Sequence, residues 1–168
     1  PMVCTRAVSD AVIWVGGNDR RLALFENLFP IPRGVSYNSY VILDEKTALL
    51  DTVDSSVVLH FLENVRATLG DQPMDSLIVN HMEPDHCATI EALLPYYPNL
   101  KIVGNQKTFQ MMRQFFDFDV DKHALVVKEG DALELGKHTL RFYTAPMVHW
   151  PEVMVSYEET EKILFSAD

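Results

Sequence analysis

The order of strand-like and helix-like segments predicts an α/β (α+β) fold, in which helices pack against layered sheets. Strand patterns come first, strands alternate with helices in the middle, and hairpins follow towards the end. The 168 residues, 48% of them hydrophobic and 23% charged, are enough for one domain with a buried core. We therefore expect a layered sandwich rather than a helical bundle or a pure barrel.

Strand patterns open the chain. Residues 11–15 are an apolar run that ends in turn-forming residues. Residues 40–43 and 47–51 predict a hairpin, and both arms are apolar enough for both faces to be covered. Between these strands, two prolines in segment 24–32 favour an irregular segment packed on a sheet edge, with the expected anchors Phe25, Leu28 and Phe29.

Strands and helices then alternate. Apolar residues at helical spacing predict a helix over 58–69, where Gly70 provides the C-terminal cap and His60 is exposed. The apolar run 76–79 predicts a short buried strand. The remaining elements expected in this part are a helix over 88–94, a strand over 101–104 and a helix capped by Asn105.

Hairpins follow a strand over 124–127. Residues 133–135 and 139–143 flank a turn at Gly136-Lys137, and a last hairpin joins 154–157 to 162–165. His123 and His138 have no carboxylate or histidine partner at ligand spacing along the chain, so we expect both at the surface.

Charge and cysteine content exclude several classes of function. The net charge of −10, without any Lys/Arg run, opposes binding to nucleic acid or to an anionic membrane. No apolar run approaches the roughly 20 residues that span a bilayer, and the first residues lack the features of a signal peptide. Cys4 and Cys87 form no CxxC pair, which favours a reducing cytoplasm, and Cys87 is expected as a small buried residue rather than a ligand.

The chemistry of the chain is concentrated in one hexapeptide. His81, Glu83, Asp85 and His86 offer four metal-binding side chains directly after the strand 76–79, and Pro84 stiffens the loop. Their spacing predicts two adjacent metal ions, with His81 and Glu83 at one and Asp85 and His86 at the other. The alternative is a solvated polar turn. Two further candidate donors end predicted strands, and we expect them at the same edge: His149 and Asp168.

This pattern resembles a known family. His-x-Glu-x-Asp-His, a histidine about sixty residues on and an aspartate at a strand end are similar to the metallo-β-lactamase superfamily. The glutamate at the third motif position resembles the flavodiiron proteins, or A-type flavoproteins, as do segments 35–40, 48–53 and 149–152. The resemblance implies that residues 1–168 form the N-terminal portion of an αββα sandwich, which ends before a last histidine ligand and a flavodoxin-like domain.

The resemblance also implies a ligand set. His81, Glu83 and His149 would bind one iron, Asp85 and His86 the second, and Asp168 would bridge the two. Mixed imidazole and carboxylate donors suit iron, although zinc could substitute for it. Trp150, next to a ligand, is a candidate for the pocket wall.

The activity implied by the resemblance is reduction of O2 to water or of NO to N2O, with electrons from FMN in the flavodoxin-like domain. A rubredoxin or a flavin reductase would supply those electrons, and the chain would form a homo-oligomer or pair with a complementing chain. The apolar strand 163–165 is expected at an open sheet edge. Two alternatives are a zinc-dependent hydrolase of the same superfamily and a non-catalytic fragment that binds metal or dimerises.

Overall fold

The computed structural model of the chain describes residues 3–25 and 27–167. In chain order, its strands are β1 (Arg6–Ala7), β2 (Val12–Trp14), β3 (Gly17–Asp19), β4 (Leu24–Phe25), β5 (Phe29–Pro30), β6 (Val35–Tyr37), β7 (Tyr40–Ile42), β8 (Ala48–Leu50), β9 (Ser76–Ile78), β10 (Lys101–Gly104), β11 (Ala124–Val126), β12 (Ala132–Glu134), β13 (Thr139–Thr144), β14 (Met154–Glu158) and β15 (Ile163–Phe165). Its α-helices are α1 (Val58–Leu69), α2 (Pro84–Cys87), α3 (Ile90–Leu93), α4 (Gln106–Phe115) and α5 (Val120–His123).

Two sheets form the framework. The larger has seven strands in the order β1-β2-β7-β8-β9-β10-β11, and the smaller has four in the order β12-β13-β14-β15. Strands β8 to β11 run parallel to one another, whereas the smaller sheet is antiparallel throughout. Because β8 and β9 are parallel, the loops that follow them leave the same edge of the sheet, which is where the candidate metal ligands lie.

The larger sheet is covered on both faces. Alternate residues of its central strands point to opposite sides: Leu49 and Leu77 join a core with the helices, whereas Leu50 and Ile78 join a core with the smaller sheet. This burial confirms the prediction that both arms of the hairpin 40–43/47–51 are covered, and it shows the layered arrangement of helices and two sheets.

Local signals account for the helix ends. Helix α1 ends at Gly70, whose positive φ of 58° suits glycine. Helix α4 begins after Asn105, whose side chain accepts a hydrogen bond from the Thr108 amide. Both predictions are confirmed. The helix predicted over 88–94 is wrong in its bounds, since helix begins already at Pro84 and is interrupted before Ile90.

The prediction for segment 24–32 is wrong about two of its three anchors, although Phe25 is half-buried. Leu28 is 71% exposed and Phe29 is 60% exposed, and the segment forms the small antiparallel pair β4–β5. The two prolines favour an irregular segment, but a two-residue strand pair tolerates Pro30 at its edge.

The surface placement predicted for His123 and His138 is also wrong. His123 is buried and its Nδ1 donates to the Leu100 carbonyl at 2.7 Å. His138 is buried between two carboxylates, with Nδ1 2.7 Å from Asp44 and Nε2 2.8 Å from Glu161. Asp44 lies 94 positions away along the chain, so sequence spacing could not show this contact. His60 is exposed, as predicted.

Residues 3–25 and 27–167 include no helix with both the length and the apolar character that crossing a membrane requires.

Candidate metal centre

The loop that follows β9 carries the first candidate ligands on a rigid base. Val79 continues from the strand and donates its amide to Val103 at 2.8 Å. Glu83 is the extended residue that precedes α2, and Pro84 occupies the first helical turn, where its missing N–H costs nothing. The His86 amide donates to the Glu83 carbonyl at 2.8 Å. The hexapeptide is therefore held between a central strand and a helical turn.

Three side chains converge at this loop. Glu83 Oε2 lies 3.0 Å from His81 Nε2 and 2.7 Å from His149 Nε2. One donor atom from each of the three lies within 4.8 Å of the others, a spacing that a single ion can span. His81 and Glu83 are buried, whereas the His149 side chain is 48% exposed. The first group of predicted ligands is thus brought together by two segments of the chain that are far apart in sequence.

His149 reaches the group from a loop between β13 and β14. Both Met147 and His149 have positive φ, 63° and 71°, a conformation that costs energy for residues with a side chain. Trp150 places its ring edge-on to His81, with centroids 5.2 Å apart. Trp150 therefore lies against the ligand group, the position expected of a pocket wall.

The second group of predicted ligands lies beside the first. The rings of His81 and His86 are 5.3 Å apart between centroids. His86 Nε2 is 3.7 Å from Asp85 Oδ2, and His86 Nδ1 is 3.7 Å from Asp51 Oδ2. Asp168 lies outside the described residues. Its neighbour Ala167 lines a cavity of about 260 Å³ together with Asp51 and His86.

Burial and hydrogen bonding shift the pKa values of His81 and Glu83 in opposite directions. Burial alone would lower the pKa of His81, but hydrogen bonds to Glu152 and Glu83 raise it. Burial would raise the pKa of Glu83, but hydrogen bonds from His149 and His81 lower it. Charged imidazole and carboxylate therefore satisfy each other, and a bound cation would take the place of the protons between them.

The donor set fits a metal of intermediate softness. Nε2 atoms of two imidazoles face one shared carboxylate oxygen, and further buried carboxylates surround them, so the charge of the pocket favours cations. Cys87 takes no part in this set, because its buried thiol donates to the Met82 carbonyl at 3.1 Å. Burial raises the pKa of Cys87 to about 12, which disfavours the thiolate that a metal requires. The prediction that Cys87 is a small buried residue is confirmed.

Comparison with known proteins decides the family. A family profile described as "ODP family beta lactamase" matches residues 35–168. The flavodiiron protein from Giardia intestinalis superimposes with a TM-score of 0.90 over 99% of this chain and 40% of its own, at 28% identity. This chain is a metallo-β-lactamase-like domain of the flavodiiron protein family.

Two curated relatives of this flavodiiron domain carry the names of redox enzymes. "Nitric oxide reductase" of Moorella thermoacetica is 33% identical over 163 residues, covering 96% of this chain and 41% of the relative. "Rubredoxin-oxygen oxidoreductase" of Megalodesulfovibrio gigas is 34% identical over 161 residues, covering 96% and 40%. The chain therefore spans about 40% of the length of these relatives.

Two acidic residues of the flavodiiron site were not predicted as part of it. Asp51 follows β8, has a positive φ of 56° and accepts a hydrogen bond from the Asn80 amide at 2.7 Å. Its position at the end of a strand parallel to β9 could have indicated it. Glu152 is fully buried against His81. The one indication of Glu152 in the sequence was its position three residues after His149. That position did not suggest burial, because an acidic residue in a Pro-containing loop is normally exposed.

Proposed function

We propose that this chain is the diiron-binding part of a flavodiiron reductase that converts O2 to water or NO to N2O. The observation that carries the proposal is the pair of contacts from Glu83 Oε2 to His81 and His149. A carboxylate in place of a third imidazole adds negative charge, which stabilises the oxidised state of a redox-active metal. The same substitution disfavours the alternative of a zinc hydrolase.

The ligands follow from the two neighbouring groups. His81, Glu83 and His149 would hold the first iron, and Asp85 and His86 the second. Asp168, outside the described residues, would supply the bridging carboxylate. Zinc could occupy the same donors without supporting electron transfer.

The protein's own residues prepare the site for a small gas. The bound irons would supply the electrons that reduce the diatomic substrate. Glu83 and His81 are buried and held by hydrogen bonds, so their donor atoms need little rearrangement when metal binds. Trp150 shields one side of His81, and the half-exposed His149 marks the side open to solvent.

Electron supply and assembly belong to the same proposal. One relative carries the name "Anaerobic nitric oxide reductase flavorubredoxin", and another carries the name "Rubredoxin-oxygen oxidoreductase". We infer that FMN in a flavodoxin-like domain passes electrons to the irons, and that a rubredoxin or a flavin reductase reduces the flavin. The working form would be a homo-oligomer or a complex with a complementing chain. The cytoplasmic location is supported by two cysteines that are both free.

Iron content tests the proposal directly. Purified chain is loaded anaerobically with Fe(II), desalted and analysed for metal by mass spectrometry. We expect iron to be retained, and His81→Ala to lose most of the iron at the first position. His60→Ala, which changes an exposed histidine outside the site, is the matched control and should retain the wild-type amount. Retention of zinc alone, or turnover of thioesters or lactones by zinc-loaded chain, would contradict the proposal.

A further inference from the structure

Glu152 is a fully buried carboxylate placed directly behind the candidate metal centre. One of its oxygens, Oε1, accepts two hydrogen bonds, from His81 Nδ1 at 2.7 Å and from the Met82 amide at 2.8 Å. Burying a carboxylate is costly unless strong donors satisfy it. Among the residues that the structure describes, His81 is the one side chain that donates a hydrogen bond to this carboxylate.

This contact determines which nitrogen of His81 faces the metal position. A carboxylate only accepts hydrogen bonds, so Nδ1 must carry the proton. Nε2 is then the nitrogen left to bind a cation, and it points to Glu83 Oε2 at 3.0 Å. Buried carboxylates behind ligating histidines orient the ring and raise its basicity.

Glu152 is itself held by elements outside the ligand loops. Its backbone carbonyl accepts a hydrogen bond from Asn105 Nδ2 at 2.7 Å. The other end of the Asn105 side chain caps α4 by accepting from the Thr108 amide at 3.0 Å. The backbone of Glu152 is thus tied to the start of α4, which directly follows β10 of the larger sheet. The position of the carboxylate therefore does not depend on the 145–153 loop alone.

We propose that Glu152 is a positioning residue that holds His81 in the Nδ1-protonated form and so prepares the first metal position selectively. The second position has a different acidic neighbour, because Asp51 rather than Glu152 lies beside His86. The proposal rests on the proposed function, since it presumes that His81 binds metal through Nε2.

The test is a comparison of Co²⁺ affinity in two backgrounds, read from the visible absorption of bound cobalt and from metal analysis. The Asp85→Ala background leaves the first position as the main site, and there Glu152→Gln should weaken Co²⁺ binding by about 10- to 100-fold. Glutamine keeps an oxygen that can accept both hydrogen bonds but loses the charge. Glu152→Ala also removes the acceptor and should weaken binding further.

The His81→Ala background tests whether Glu152 acts through His81. With the imidazole absent, Glu152→Gln should cause no further loss of Co²⁺ affinity at the remaining position. Glu158→Gln is the matched control, because Glu158 is equally buried but interacts with backbone amides of Thr139 and Glu161 instead. It should leave Co²⁺ affinity unchanged.

A second readout follows the proton on Nδ1. In Co²⁺-loaded chain this proton should give a shifted, slowly exchanging NMR signal, and Glu152→Gln should speed its exchange with water. Unchanged Co²⁺ affinity of both Glu152→Gln and Glu152→Ala in the Asp85→Ala background, or equal weakening by Glu158→Gln, would overturn the positioning role while leaving the proposed function intact. Wild-type chain that binds no metal at all would overturn both.

Discussion

At the scale of single residues, the candidate metal centre is held together by carboxylate oxygens that each contact two partners. One carboxylate oxygen of Glu83 contacts two imidazoles, and one oxygen of Glu152 receives both an imidazole and a backbone N–H. Each of these shared contacts fixes the orientation of a donor atom in the absence of metal. Binding of a cation in this pocket would therefore need little reorganisation of its side chains.

The separation of the two ligand groups predicts unequal effects of single substitutions. Asp85→Ala or His86→Ala should reduce occupancy of the second metal position more than that of the first, and His81→Ala should do the reverse. Metal stoichiometry measured on the three variants after identical loading checks this. The same loss in all three would contradict the assignment of two positions.

At the scale of elements, His138 connects three turns through hydrogen bonds, at the edge opposite the candidate metal centre. His138, in the turn before β13, contacts Asp44 after β7 and Glu161 before β15, and Glu158 lies nearby. Burial alone would lower the pKa of His138 and raise that of Asp44, because it disfavours both charged forms. The hydrogen bonds have the larger combined effect, so the pKa of His138 is raised and that of Asp44 falls to about 2. The three acidic groups thus favour the cationic form of the His138 imidazole.

This network makes stability depend on pH. Because the pKa of folded His138 lies above its ordinary value of 6.5, its contribution is complete below pH 6.5 and is lost as the pH rises through the raised value. His138→Gln should cost about 2 kcal/mol at about pH 6, where the imidazole is charged and its carboxylate partners are ionised, and less at high pH. Urea unfolding of both proteins at several pH values measures the difference, and a difference that grows with rising pH would refute the ion pairing.

The start of α4 offers a second prediction at this scale. Asn105→Ala removes the helix cap and the hydrogen bond to the Glu152 carbonyl, and we expect it to cost about 1–2 kcal/mol of unfolding free energy. Gln106→Ala, at the exposed neighbouring position, is the control. Chemical denaturation of the two variants should separate them, and equal stability would show that the cap contributes nothing.

At the scale of the whole molecule, the sandwich brings distant segments to one rim. Asn80 hydrogen-bonds to segments of both sheets. Its backbone N–H donates to Asp51 at 2.7 Å, and its side-chain oxygen accepts from the Ser156 hydroxyl at 2.7 Å. Among the described residues, β15 is the outer strand of the smaller sheet, as predicted, and Leu164 on it is 58% exposed. An apolar strand with one free edge favours pairing with another chain.

Self-association of this chain should therefore depend on β15. Leu164→Lys places a charge on the open edge and should shift the chain towards the monomer in sedimentation velocity experiments. Leu59→Lys is the matched control, because Leu59 is 74% exposed but lies on α1, away from any sheet edge. Equal behaviour of the two variants would contradict an edge-mediated contact.

Local patterns were enough to predict the strand before the hexapeptide, the cap at Asn105 and the closeness of His81 and Glu83 within the loop 81–86. These features depend on neighbours within a few positions. The anchors expected at Leu28 and Phe29 failed because exposure depends on what packs over a segment, and hydrophobicity alone does not report that.

The sequence by itself determined the layered fold class and the candidate donors in the hexapeptide, because strand periodicity and side-chain chemistry are local properties. Only the tertiary structure decided that Glu152 lies behind His81, 71 positions away, and that His138 lies between acidic turns. The physical reason is that burial and ion pairing are set by which distant segments the packed sheets bring into contact.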